Sequence, residues 1–237
     1  MWIHKFALFH NWQMKIYAHR GSSGNNPEMT RSAYEVAIKE GADGFECDVR
    51  LSRDGEIVCI HDATTGRIAG KRVWVSRTNL KELQSLHELM TLDELLNLAI
   101  SARKHLLIET KHPNIHGGRI ERSVVELLQS MASDIKAAGI EVVVMSFSKF
   151  AGKRVQSDWV AGKISKYYLP AIFSKSKISA LDIDLITKHP SLVKKLQERG
   201  SRILIWTVNE DVDFERCKKL GIDGVITDFP EIARRYG

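Results

Sequence analysis

Four short apolar runs end in groups able to do acid–base or ionic chemistry: Ala18-His19-Arg20-Gly21, Phe45-Glu46-Cys47-Asp48, Cys59-Ile60-His61-Asp62 and Ile108-Glu109-Thr110-Lys111. A strand turns successive side chains to opposite faces. Glu46 and Asp48 then share one face with Cys47 behind it, and Glu109 and Lys111 share one with Thr110 behind it. If those faces meet, Glu46, Asp48 and Glu109 converge. Like charges held close are costly unless a cation sits between them. An all-oxygen donor set points to one divalent cation, Mg²⁺ or Ca²⁺. The alternative is an ion-pair network of the carboxylates with Arg20, Arg50 and Lys111. His19 and His61 flank the cluster, and histidine titrates near neutral pH, so one can act as base and the other as acid. The plainer alternative is a pair of hydrogen-bonded core histidines. Arg20 and Lys111 beside a cation suit a phosphoryl oxygen.

Elements with a regular alternation must position these groups. Candidate strands lie at 15–19, 43–49, 56–60, 106–110, 141–146, 163–168, 182–186, 203–208 and 223–227, mostly short and rich in Val, Ile and Leu. Segments of helical period lie between most of them, at 30–40, 92–104, 119–138, 191–199 and 212–220. Strand–helix alternation over the whole chain implies parallel strands with right-handed crossovers. A single (β/α)8 barrel is the fold expected, with active groups at the C-terminal strand ends. A doubly wound open sheet is the runner-up, but Gly21-Ser22-Ser23-Gly24 matches no phosphate-binding glycine motif.

Composition narrows the partners. The chain has 237 residues, 43% of them apolar, enough for a core without disulfides. A net charge of +6 comes without a Lys/Arg block of nucleic-acid density, so no nucleic-acid partner is expected. Cys47, Cys59 and Cys217 form no CxxC pair, which suits a reducing, cytoplasmic setting. No apolar run approaches the roughly 18 residues of a membrane span. Residues 1–14 are read as an N-terminal extension, 15–237 as one barrel, and 64–90 as a short insertion within it. Trp2, Ile3, Phe6, Phe9 and Trp12 of the extension are expected to pack against the barrel base.

In His19-Arg20-Gly21, Pro27-Glu28-Met29-Thr30, the run from Gly41 to Val49, and His61-Asp62, the chain resembles the glycerophosphodiester phosphodiesterase family. Leu107-Ile108-Glu109-Thr110-Lys111 is similar to that family's carboxylate–x–lysine strand. Ser146-Phe147, Trp206-Thr207-Val208-Asn209 and the run from Gly224 to Pro230 are similar to its later strands. The resemblance implies a TIM barrel that hydrolyses glycerophosphodiesters to glycerol 3-phosphate and an alcohol. It implies one divalent cation on Glu46, Asp48 and Glu109, and His19 with His61 as the acid–base pair. Arg20 and Lys111 would meet the phosphate, and Glu28 would lie near the glycerol. Trp206 would lie near the glycerol or alcohol end, or else simply fill the barrel. Met29 departs from the family's usual Asn, although Asn26 and Pro27 still read as the cap and first residue of a helix. The modest segment from Thr64 to Met90 implies an open mouth.

The alternative reading is a lipid-directed phospholipase on the same barrel, acting on lyso- or intact phospholipids. It needs an exposed apolar rim. The loops expected at the mouth, 21–26, 62–70, 112–118 and 148–152, hold only Ile68, Ile115 and Phe150 as large apolar residues. Soluble diesters and no stable membrane anchoring are therefore expected.

Overall fold

The computed structural model describes residues 13–113, 117–155 and 159–237. Residues 1–12, and with them the expected packing of Trp2 to Trp12 on the barrel base, lie outside the described residues, as does Ile115.

Nine strands are present among the described residues: β1 (Lys15–His19), β2 (Gly44–Leu51), β3 (Ile57–Cys59), β4 (His105–Thr110), β5 (Val142–Ser146), β6 (Val160–Ser165), β7 (Ile178–Asp182), β8 (Arg202–Trp206) and β9 (Gly224–Thr227). All but β3 pair in parallel, in the order β1-β9-β8-β7-β6-β5-β4-β2, and the pairing of β1 with β2 closes the ring. Helices lie between successive barrel strands, so the chain is a (β/α)8 barrel.

Two environments follow from the strand alternation. Tyr17, Leu107, Val143, Met145, Ile164, Ala180, Leu204 and Ile226 fill the barrel interior. Cys47, Phe45, Ile108 and Val144 face outward and pack under the helices of one half; Ile16, Leu181, Ile203, Ile205 and Val225 do so in the other. Gly44 sits low on the inner row of β2. A Cβ there would stand 2.7 Å from the His105 carbonyl and from the Tyr17 ring, so glycine lets that ring fill the base.

The structure corrects several expected elements. The third strand is not a barrel strand: β3 turns back antiparallel on β2, with Val49 opposite Cys59. The hairpin closes where Gly55 takes φ +93°. It brings the chain back to the mouth, where the Ile60 N–H donates to the Asp48 carbonyl at 2.9 Å. β6 and β7 lie earlier than the strands expected at 163–168 and 182–186. Asp182 ends β7 and its carboxylate accepts from the Asp184 N–H, so Ile183–Lys188 is a helix. The helix expected at 119–138 is two, Arg119–Ser130 and Ala132–Ala138, interrupted at Met131 (φ −107°, ψ 10°). Pro27 does not begin the first helix; Thr30 caps Arg31–Lys39 by accepting from the Ala33 N–H.

Candidate active site at the barrel mouth

Each inner row passes from apolar groups to polar or aromatic ones as its strand nears the C-terminal mouth. Tyr17 leads to His19, Leu107 to Glu109, Met145 to Phe147, Ile164 to Lys166, Leu204 to Trp206, and Ile226 to Asp228. Register sets their heights: His19 stands opposite Glu46, and Asp48 opposite Glu109. A cavity of about 300 Å³ opens over them. His19, Arg20, Glu46, His61, Glu109, Lys111 and Trp206 line it, while Asp48 lies beneath and Glu28 outside the lining.

Carboxylate oxygens of Glu46, Asp48 and Glu109 lie within 4.8 Å of one another. Asp48 is almost wholly enclosed. Lys111 Nζ is 2.9 Å from its Oδ1, and Arg20 Nε is 2.8 Å from Oδ2, out of line for a hydrogen bond. Lys111 also donates to Glu109 Oε1 at 2.6 Å. Glu46 Oε2, like Asp48 Oδ2, is buried without a hydrogen-bond partner, and it stands 3.9 Å from His19 Nε2. Arg50 Nε donates instead to the His61 carbonyl at 2.9 Å.

The electrostatics follow this division. Burial disfavours the Asp48 anion, but Arg20 and Lys111 outweigh it and hold the carboxyl below its ordinary value. Burial, then the Asp48 charge, push Glu46 well upward. The same two causes, in that order, raise Glu109 to about 7. Three carboxylates in reach of one point, two with a buried oxygen that no hydrogen bond satisfies and two whose ionisation is opposed, fit a hard divalent cation. The ion-pair network supplies only part of the countercharge.

Both histidines have one ring nitrogen held by a carboxylate. Nδ1 of His61 is 2.8 Å from Asp62 Oδ1, and Nδ1 of His19 is 2.6 Å from Asp228 Oδ1. Burial lowers the His61 pKa below 6.5, with Asp48 opposing and Arg20 and Lys111 assisting. Asp228 is itself fixed by Ser23 Oγ at 2.8 Å and Asn209 Nδ2 at 2.6 Å. Burial works against its charge, yet the hydrogen bond to His19 leads the interactions that hold its pKa at about 2. Sequence reasoning assigned Asp228 no place in the site. The signal was available, because it lies two residues beyond the inward Ile226.

Lys166 was missed because the sixth strand was set too late; it ends the inner row of β6. Glu28 is occupied otherwise than expected. Arg67 grips both its oxygens, at 2.6 and 2.9 Å, and Arg20 donates to it at 3.3 Å. Trp206 meets Phe147 edge to face with centroids 5.7 Å apart, and its buried Nε1 has no hydrogen-bond partner. The expected poverty of apolar groups at the mouth also needs correction. β6 ends at Ser165, so Tyr167 lies in the turn that leaves the mouth and Leu169 in the short helix Tyr168–Ile172 that follows; both are exposed, as is Phe147.

The model of the glycerophosphoryl diester phosphodiesterase family matches residues 19–157 and 148–232. A Mycobacterium tuberculosis protein named "Probable glycerophosphodiester phosphodiesterase 1" is 32% identical over 91% of this chain and 89% of its own length. Among solved structures, a glycerophosphodiester phosphodiesterase from Thermotoga maritima superposes with a TM-score of 0.81 at 23% identity, covering 95% of this chain and 99% of that one. An Oleispira antarctica phosphodiesterase, solved in complex with the product sn-glycerol-3-phosphate, has a TM-score of 0.79 at 22% identity, covering 95% and 97% of the two chains.

Proposed function

The chain belongs to the glycerophosphoryl diester phosphodiesterase family, and on that premise we propose that it hydrolyses small glycerophosphodiesters to glycerol 3-phosphate and an alcohol, with one divalent cation and two histidines. The observation that carries this reading is the convergence of Glu46, Asp48 and Glu109 within 4.8 Å beside His19, in a cavity that His61 also lines. In this reading those three carboxylates hold Mg²⁺ or Ca²⁺. When bound, the cation would supply charge neutralisation at the phosphate and polarise its phosphorus–oxygen bonds.

The protein's own groups do the rest. Arg20 and Lys111 offer donors to the phosphate oxygens from positions braced by Asp48. Burial favours neutral His61 near neutral pH, the form able to take a proton from the attacking oxygen, whether of water or of the neighbouring glycerol hydroxyl. His19, held by Asp228, gives a proton to the leaving alkoxide. The unpartnered Trp206 N–H is available to a substrate oxygen. Glu28, already held by Arg67, acts by steadying Arg20 and the glycerol side of the mouth.

Residues 15–237 form the catalytic barrel in this reading, 64–90 a short insertion beside its mouth, and 1–14 an extension. The proposed setting is the cytoplasm, supported by free, buried Cys47, Cys59 and Cys217. Among the described residues no helix is long and apolar enough to cross a membrane. The test is product identification by ³¹P NMR with glycerophosphocholine and glycerophosphoethanolamine under added cation. Glycerol 3-phosphate is the expected phosphorus product; phosphocholine or no turnover of either diester would overturn the reading.

A further inference from the structure

A second groove is larger than the catalytic cavity. It has a volume of about 650 Å³ and runs outside the barrel between the helix Lys149–Val155 and the helix Tyr168–Ile172, over the outer face of β6. No carboxylate or histidine lines it. Its walls are Ala161, Gly162, Leu169, Pro170 and Phe173, rimmed by lysines.

Two independent distributions single out this face. The first is charge. Residues 147–177 carry seven Lys and Arg against one carboxylate, Asp158, a surplus of six. The whole chain's net charge is +6, so the remainder is balanced. Arg154 is spent on Glu121 and Lys163 on the Phe147 carbonyl, but Lys149, Lys153, Lys166, Lys175 and Lys177 are exposed. The second is apolar surface. Eight large hydrophobic residues are exposed among the described residues, and six of them fall in the same stretch: Phe147, Phe150, Val160, Tyr167, Leu169 and Phe173. Phe150, Tyr167, Leu169 and Phe173 are each more than 60% exposed, well beyond the scattered exposure normal for a soluble surface.

We infer that this basic, aromatic face docks reversibly on an anionic phospholipid bilayer. Lysines outside an apolar wedge match the two layers of such a surface, the charged headgroups and the acyl boundary. A nucleic acid would use the lysines but leave Leu169 and Phe173 in water, and a neutral apolar partner would gain nothing from the lysines. The docking face adjoins the mouth. Phe147 and Lys166 line the catalytic cavity, while Leu169 and Lys149 line the groove. Docking would therefore set the active site beside the membrane, where diesters released from lipids by deacylation first appear. The inference concerns where the enzyme sits and stands apart from the proposed reaction.

The test is co-sedimentation of the full chain with phosphatidylcholine vesicles containing none or about 30 mol% phosphatidylserine, at low and near-physiological salt. Binding to the anionic vesicles, weakening with salt, is expected. Lys149→Glu with Lys153→Glu, and separately Phe150→Ser with Phe173→Ser, should each weaken it by roughly tenfold or more. All these residues are exposed and outside the catalytic cavity, so melting temperature and turnover of glycerophosphocholine should stay near wild type. No binding to anionic vesicles at low salt overturns the inference. So does undiminished binding in either double variant. Binding of duplex DNA as tight as that of the vesicles, lost with the lysines and indifferent to the phenylalanines, would overturn it in favour of a polyanion site.

Discussion

At the scale of single residues, the account rests on two imidazoles with different neighbours. His19 faces Asp228 at 2.6 Å and Glu46 at 3.9 Å; His61 faces Asp62 at 2.8 Å. Replacing either histidine by Ala should lower turnover by roughly 10² or more, the usual worth of a positioned acid or base, with melting temperature little changed. Near-normal turnover of His61→Ala would reduce that residue to packing. Asp228 belongs to the same machinery as a positioning residue. Asp228→Asn keeps the size and an acceptor but removes the charge, and is expected to lower kcat by roughly tenfold while KM holds. A matching rise in KM, or a drop in melting temperature that accounts for the loss, would make Asp228 structural only. Met29 gains a physical meaning here as well. Its φ of +56° is a left-handed conformation where Asn is at ease and Met pays about 1–2 kcal/mol. Its side chain is buried in the core, and burial of that order, about 1.5–3 kcal/mol, offsets the backbone cost.

At the scale of elements, the β2–β3 hairpin and the segment after it deliver groups that no barrel strand supplies. The short helix Gly66–Ala69 carries Arg67, which ties Asp62 to Glu28 and so links His61's neighbour to Arg20's. Arg67→Ala should raise KM a few-fold with kcat within about a factor of two, because it loosens substrate-side donors without touching the acid–base groups. Steady-state kinetics showing an equal fall in kcat would contradict that placement. This scale is also where the sequence is least legible. The inner rows of β1, β2 and β4 are plain, because two-residue alternation puts His19, Glu46, Asp48, Glu109 and Lys111 on inward faces without further assumptions. β6 begins Val160-Ala161-Gly162, too poor in branched residues to announce a strand. The stretch Ile183-Asp184-Leu185-Ile186 reads equally as strand or helix, and only the Asp182 cap decides it. Those two shifts hid Lys166 and the exposed Tyr167 and Leu169. The antiparallel sense of β3 is a matter of pairing, which a strand pattern alone does not carry.

At the scale of the whole molecule, the carboxylate cluster couples folding, pH and cation. Glu109 has an ordinary value of 4.5 and a folded value of about 7, and Glu46 shifts the same way. At Glu109 the cation-free fold thus holds more protons than the unfolded chain between those values, while His61 and His105, shifted downward, hold fewer near the top of that range. The stability that Glu109 contributes is present below about 4.5 and is lost as pH rises through about 7, and Glu46 acts in the same sense. Asp48 and Asp228, shifted downward, change nothing in that window. Cation binding needs the ionised carboxylates, so the gain in melting temperature on adding Mg²⁺ or Ca²⁺ should be larger at about pH 8 than at about pH 5. An equal gain at both would detach the cation from this cluster. The most direct measurement is turnover of glycerophosphocholine by the wild type and by Glu46→Gln, in excess chelator and after restoring Mg²⁺ or Ca²⁺. The wild type should lose activity in chelator and regain it with the cation, while Glu46→Gln stays folded and inactive in both. Full wild-type turnover in excess chelator, or a fully active Glu46→Gln, would contradict the account.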